Sequence, residues 1–73
     1  SLYLTYGDKK SMSFIFVEYE DDKYCLEHDT PDIGLELTNV ARVSQQVARD
    51  ILIHFSKEHT VILDDHWKQE KVR

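Results

Sequence analysis

Cysteine, glycine and proline are scarce in this sequence: one cysteine, two glycines and one proline occur among 73 residues. The single Cys25 cannot form an internal disulfide, and small secreted domains usually carry several, so we expect a reducing, cytoplasmic location. Two glycines cannot build a phosphate-binding loop, which excludes the common nucleotide-binding motifs. The scarcity of glycine and proline also predicts one compact unit with short loops.

Positive charge and long apolar runs are scarce as well. Fourteen acidic residues oppose nine basic ones, which gives a formal net charge of -5. Nucleic acid and anionic lipid both require clustered positive charge, so both are disfavoured partners. No apolar run approaches the ~18 residues that a transmembrane helix needs. Residues 1–4 lack the charged and apolar regions that begin a signal peptide.

The length allows one domain at most. A hydrophobic fraction of 41% and a charged fraction of 32% are typical of a small globular protein and not of a disordered tail. A chain of this size buries only about 60% of the surface that its unfolded form exposes, so the core must be thin. We therefore predict a single domain over residues 1–73, in which residues 64–73 form a polar tail or a short helix.

Three runs typical of β-strands open the sequence, over residues 2–6, 12–20 and 24–28. The second run is apolar on both faces, which indicates a central strand. Polar turns separate the runs at hairpin spacing, so we predict an antiparallel meander. Residues 33–37 alternate in polarity and are either a fourth strand or an extended lead-in.

The clearest periodicity in the sequence predicts a helix of about five turns over residues 39–57, capped by Thr38 or Asn39. Apolar residues recur at spacings of three and four, at Val40, Val43, Val47, Ile51 and Phe55. On this helix, Val47 and Ile51 are expected in the core, and Gln45 and Arg49 are expected at the surface.

A second β-like run at residues 61–63 predicts a short last strand. The predicted fold class is therefore α+β, a small antiparallel sheet of three to four strands with one long helix packed on it, in the order ββ(β)αβ. The face with Phe14 and Phe16 is the most obvious partner of the helix, although the sequence does not decide between the two faces. The other face carries Ile15, Val17 and Tyr19. If that face is exposed, we predict that it is a docking or homodimer surface.

Metal-binding patterns are weak. His54 and Glu58 share a helix face, and His59 and residues 64–66 follow closely. However, His54 and His59 diverge by roughly 140° around a helix, whereas zinc needs three or four converging ligands. We expect no metal and no cofactor.

Catalytic patterns are equally weak. Cys25 and His28 are three apart on one predicted strand, so they point to opposite faces and cannot pair as nucleophile and base. Adjacent acids such as Asp21 and Asp22 are expected to be solvated in a loop. General acid–base catalysis needs a desolvated cleft, which such a loop does not provide. We therefore expect that the protein is not an enzyme.

The most distinctive feature is an acidic segment. Residues 18–36 contain eight of the fourteen acids and a single base, Lys23. Acidic residues interleaved with tyrosines suit recognition of an Arg- and Lys-rich protein surface. The predicted partner-binding residues are Tyr19, Glu20, Asp21, Asp22, Tyr24, Asp29 and Asp32. The alternative interpretation is that these charges protect a sheet edge from aggregation.

These observations predict a small acidic, non-enzymatic protein-interaction module that engages a basic partner surface, such as an inhibitor, an immunity protein or a regulatory protein. Phage-encoded inhibitors, immunity proteins and antitoxins are similar in composition only, so the likeness transfers no site residue. A small nucleic-acid-binding regulator is the alternative function. It would use the helix and a basic tail, with Arg42, Arg49, Lys57, Lys68, Lys71, Arg73 and the ring of Trp67. A third hypothesis, a small enzyme or metal protein, relies on His54, Glu58 and residues 64–66.

Overall fold

The computed structural model describes residues 3–8, 10, 13–29 and 37–71. These residues form five strands and one helix, and the α+β class is confirmed. The elements are β1 (Tyr3–Asp8), β2 (Ser13–Glu20), β3 (Lys23–Asp29), β4 (Leu37–Val43), α1 (Gln45–Glu58) and β5 (Trp67–Lys71). All neighbouring strands are antiparallel, and their order in the sheet is β1-β2-β3-β4-β5. The element order is therefore ββββαβ, with one strand more than the largest sheet that we predicted.

The predicted helix over residues 39–57 is wrong in its first part. Residues Leu37–Val43 form β4, which pairs with β3 over most of its length. Val40 and Val43 are both buried, on opposite faces of the sheet. Their β-branched side chains suit a strand, and their spacing of three residues is compatible with either structure. Pairing with β3 decides in favour of the strand.

Helix α1 begins after Ser44, and the predicted caps Thr38 and Asn39 are wrong. Ser44 is extended, and its Oγ accepts a hydrogen bond from the backbone N–H of Val47 at 3.4 Å, as an N-cap does. At the other end, His59 adopts a left-handed conformation with φ 59° and closes the last turn. The helix has 14 residues, about four turns.

The last strand lies later in the chain than predicted. Residues 61–63 are irregular, and the side chains of Ile62 and Leu63 are 65% and 60% exposed. The strand forms instead at Trp67–Lys71, within the segment that we interpreted as a tail or a short helix. Trp67 packs against the core, and the backbone of β5 supplies partners for the outer side of β4. The predicted strand at residues 33–37 lies outside the described residues except for Leu37, which begins β4.

The helix covers the face of the sheet that carries Ile15 and Val17, which are 0% and 4% exposed. The predicted docking or homodimer surface required this face to be exposed, and Ile15 and Val17 do not meet that condition, although Tyr19 is 40% exposed. A homodimer stays a prediction. Phe14 and Phe16 lie half-buried on the opposite face, away from the helix. Charged side chains interrupt that opposite face, at Glu18, Glu27, Asp29 and Arg42. The face that packs against the helix contributes Ile15, Val17, Leu26, Ala41 and Val43 to the core, whereas the charged side chains of the opposite face would lose their hydration under a helix.

The core is a single cluster between the sheet and α1. Its fully buried members are Ile15, Val17, Leu26, Ala41, Val43, Ala48 and Phe55. Val47 and Ile51 pack against this cluster and are half-buried, while Gln45 and Arg49 are exposed, as predicted. The helix thus presents its apolar stripe to the sheet, and the two ends of the sheet remain accessible.

Candidate partner-binding surface

The hairpin between β2 and β3 turns at Asp21 and Asp22. Both residues have a positive φ, of 52° and 63°, and they join the cross-strand pair Glu20 and Lys23. Two consecutive left-handed residues are typical of a type I′ turn, whose twist matches that of the flanking strands. Aspartate tolerates this conformation better than most residues. The two carboxylates are therefore exposed on a turn with a defined backbone.

An aromatic pair lies directly behind this turn. Tyr19 and Tyr24 are opposite each other on β2 and β3, with ring centroids 4.9 Å apart and planes inclined by 58°. The hydroxyl of Tyr19 donates a hydrogen bond to Oδ1 of Asp22 at 3.2 Å, and this bond raises the pKa of Tyr19. Tyr24 is half-buried and packs against the core. The ring pair thus anchors the turn to the body of the domain.

We call residues 19–24 the hairpin tip. The structure brings five predicted partner-binding residues together there, namely Tyr19, Glu20, Asp21, Asp22 and Tyr24. Beside the tip, on the face opposite the helix, lies a shallow depression of about 460 Å³. It is lined by Glu20, Asp21, Lys23, Cys25 and Arg42. The tip therefore combines exposed carboxylates with a recess into which a partner side chain could extend.

Cys25 lines this depression with a free thiol. Its side chain is half-buried, and burial raises the pKa of its thiol, which disfavours the nucleophilic thiolate. His28 lies on the other face of β3, as the three-residue spacing predicts. The two residues do not form a catalytic pair.

Asp29 does not belong to the hairpin tip. It lies at the far end of β3, five residues from Tyr24 and therefore about 17 Å away along the strand. Its Oδ1 accepts a hydrogen bond from the hydroxyl of Thr38 on β4. Asp29 thus joins two strands of the sheet and lies apart from the predicted partner-binding residues at the tip, and its role in partner binding stays a prediction. The predicted binding residue Asp32 lies outside the described residues.

A buried Ser–His pair was missed in the sequence. Oγ of Ser13 lies 2.9 Å from Nε2 of His28, and both residues are 4% exposed. Nδ1 of His28 has no hydrogen-bond partner among the described residues, and its ring contacts those of Phe55 and Trp67. Because the turn lies at residues 21–22, the register between β2 and β3 brings Ser13 and His28 together. The buried pair joins the start of β2 to β3, and neither residue lines the depression beside the tip or the groove beside α1.

The basic residues suggested for nucleic-acid binding are dispersed over the surface. The guanidinium of Arg42 donates two hydrogen bonds to the carboxylate of Glu70, at 2.6 and 3.2 Å. Lys68 and Lys71 point to opposite faces of β5, and Trp67 is half-buried against the core. Arg49 and Lys57 are exposed on α1, and Arg73 lies outside the described residues. No continuous basic stripe forms among the described residues, although nucleic-acid binding relies on one.

The histidine and acidic residues suggested for metal binding do not converge. Within the described ranges, no three His, Cys, Asp or Glu side chains are grouped closely enough to hold a metal ion. His54, Asp64 and His66 do line one shallow groove beside α1, whereas Glu58 does not. Nδ1 of His66 lies within hydrogen-bonding distance, 3.0 Å, of Oδ1 of Asp64, which leaves a pair in place of a ligand set.

The helix α1 is too short and too polar to cross a membrane, and no other helix occurs in the described part of the chain. No protein-family model, no curated protein and no solved structure matches this sequence.

Proposed function

We propose that the protein is a non-enzymatic interaction module whose hairpin tip binds a basic surface on a partner protein in the cytoplasm. Such a module acts by occlusion, as an inhibitor, an immunity protein or a regulatory protein does. Its exposed carboxylates attract the partner, and the ring of Tyr19 supplies the apolar contact. The free thiol of Cys25 agrees with a reducing compartment.

The position of the acidic residues in the sheet is the observation that carries this proposal. The alternative interpretation was that the charges protect an open strand edge. However, β2 and β3 are interior strands, paired on both sides by β1 and β4. β1 pairs with β2 as far as Glu18, and β4 pairs with β3 as far as Tyr24, so only the short hairpin tip projects beyond the paired sheet and little open edge is left for charge to protect. Recognition explains acidic residues there better than protection does.

The rigidity of the tip also favours binding. Asp22 accepts a hydrogen bond from the hydroxyl of Tyr19, and Asp21 has no hydrogen-bond or ion-pair partner among the described residues. The type I′ turn and the tyrosine pair hold these groups in place before a partner arrives. A preorganised surface loses less conformational entropy on binding than a flexible one. An exposed tyrosine beside charge is moreover a common type of interface anchor.

An arginine- and lysine-rich peptide tests this proposal, with the same peptide carrying glutamine at the basic positions as its control. Amide shifts in a ¹H–¹⁵N spectrum should concentrate at residues 19–24 for the basic peptide alone. Stopped-flow association should slow as salt rises, because screening acts over about 8 Å at physiological ionic strength.

Matched variants separate the tip from the overall charge. Asp21→Asn with Asp22→Asn removes two charges and preserves the left-handed turn, since asparagine also tolerates it. Glu58→Gln with Asp65→Asn removes the same charge from exposed positions elsewhere. We expect the first pair to slow association several-fold and the second pair to leave it nearly unchanged. Equal effects of the two pairs, or association that is independent of salt, would contradict the proposal.

A further inference from the structure

A groove of about 290 Å³ lies between α1 and residues 61–66, the segment that leads into β5. Val47 and Ile51 form its wall on the helix, and Val61 and Ile62 form the facing wall. Ile62 is 65% exposed, although aliphatic side chains of this size are commonly buried. The groove therefore keeps a patch of apolar surface in contact with water, and it shares no lining residue with the depression beside the hairpin tip.

The polar rim of the groove presents hydrogen-bond acceptors. Asp50 contributes a carboxylate from the helix, and Asp64 contributes one from the facing segment. Oδ1 of Asp64 accepts the backbone N–H of His66 at 3.0 Å and lies 3.0 Å from Nδ1 of the same residue. The backbone bond in particular lowers the pKa of Asp64, so this carboxylate is ionised at neutral pH.

The proton positions follow from this arrangement. A carboxylate accepts hydrogen bonds and donates none, so Nδ1 of His66 carries a proton toward Asp64. His54 is the remaining polar residue of the rim, and no lysine or arginine lines the groove in the described part of the chain. Two carboxylates thus flank an apolar floor.

We propose that this groove binds a small organic cation, in which an ammonium or guanidinium group is attached to an apolar body such as an aromatic ring. The apolar body displaces water from the helix wall, and the N–H groups donate to Asp50 and Asp64. An anion is repelled by both carboxylates. A neutral apolar molecule would remove water from the carboxylate oxygens without donating hydrogen bonds to them, which is unfavourable.

The volume of the groove limits the size of the cation. At about 30 Å³ for each non-hydrogen atom, which is the share of a water molecule in the liquid, it accommodates roughly ten such atoms. A phenylethylammonium ion is of this size. Because the groove is open to solvent, a ligand this small binds at best in about the millimolar range.

A titration with phenylethylammonium, followed in ¹H–¹⁵N spectra, tests the inference, with 2-phenylethanol as the neutral control of the same shape. We expect saturable shifts at the amides around the groove and at least about threefold tighter binding of the cation, the size of effect of an exposed charge pair. Asp50→Asn and Asp64→Asn should each weaken binding several-fold. Asp65→Asn removes the same charge from a residue outside the groove and should have an effect below about twofold.

A matched pair of variants tests the apolar wall of the groove. Ile62→Ser should weaken binding, whereas Leu63→Ser should leave it unchanged, because Leu63 is equally exposed but does not line the groove. Melting curves of all variants check that each one folds. Both positions are largely exposed, so neither change should unfold the domain.

Four results would overturn the inference. The alcohol could bind as tightly as the cation, or Asp65→Asn could weaken binding as much as Asp64→Asn. Amides of the hairpin tip could shift as strongly as those of the groove, which would indicate attraction by the net charge alone. Finally, the groove amides could shift with protein concentration in the absence of any probe, which would identify a second copy of the chain as the occupant.

Discussion

Gly7 is the residue whose replacement tests the sheet most directly. It lies on the outer strand β1, opposite Phe14 of β2. A Cβ atom added at Gly7 would lie 2.2 Å from Cδ1 and 2.6 Å from Cε1 of the Phe14 ring. The ring therefore covers the glycine, an arrangement that shields the backbone of an edge strand. Its φ is not positive, so the backbone itself permits alanine.

The contact determines the sign of the effect of Gly7→Ala. Where no clash arises, replacing glycine by alanine stabilises a protein by about 0.4–1 kcal/mol, because the unfolded chain loses freedom. Here the ring of Phe14 must retreat by more than an ångström, and overpacking of this kind costs about 1–3 kcal/mol. We therefore expect Gly7→Ala to destabilise the fold. A total stability of about 4–11 kcal/mol for this length makes that loss easy to measure.

Urea denaturation is the assay, followed by circular dichroism and by the fluorescence of Trp67, the one tryptophan. Phe14→Ala removes the ring and provides the second arm of a double-mutant cycle. In the Phe14→Ala background, Gly7→Ala should become neutral or stabilising. If Gly7→Ala raised the free energy of unfolding in the wild-type background, or cost the same in both backgrounds, the reasoning would be refuted.

Three further predictions concern the core, the buried histidine and the turn. Phe55→Ala should lower the free energy of unfolding by about 3–5 kcal/mol in urea denaturation, and Ile53→Ala, at a position 48% exposed, by less than about 1 kcal/mol. Burial lowers the pKa of His28 below its ordinary 6.5, so the native state binds fewer protons than the unfolded state. The contribution of His28 to stability is then complete above pH 6.5 and is lost as pH falls through 6.5 toward the folded pKa. The difference between the urea midpoints at pH 7.5 and 5.5 should therefore be smaller for His28→Gln than for the wild-type protein. Because Asp21 and Asp22 have a positive φ, changing both to lysine should cost about 1 kcal/mol each, whereas changing both to asparagine should cost less than about 0.5 kcal/mol in the same assay.

Local patterns in the sequence were sufficient to predict the β2–β3 hairpin and its tip. A run that is apolar on both faces indicated β2, a second β-like run indicated β3, and a polar turn lies between them. Residues near a two-residue turn are neighbours whatever the rest of the chain does. Tyr19 and Tyr24 were therefore correctly grouped with the turn residues. Local reasoning did not show that Asp29 lies apart from them, because its distance from the tip depends on how far β3 continues.

The boundary between β4 and α1 was decided by tertiary structure. Val40, Val43 and Val47 have spacings that suit a helix, and no local signal excludes one. The hydrogen-bonding groups of β3 need partners along their whole length, and residues 37–43 provide them. Only after this pairing does Ser44 become the first position at which a helix can start.

The need of backbone groups for hydrogen-bond partners also explains β5. Its sequence, Trp67–Lys71, is too polar to indicate a strand, yet it pairs with the outer side of β4 and is anchored by one ring. The buried pair of Ser13 and His28 and the groove beside α1 also depend on long-range placement. The sequence by itself thus determined the α+β class and the acidic hairpin tip, because these depend on neighbours along the chain. Strand order, the covered face and the groove required the folded chain, because hydrogen-bond pairing and burial act between residues that are distant in sequence.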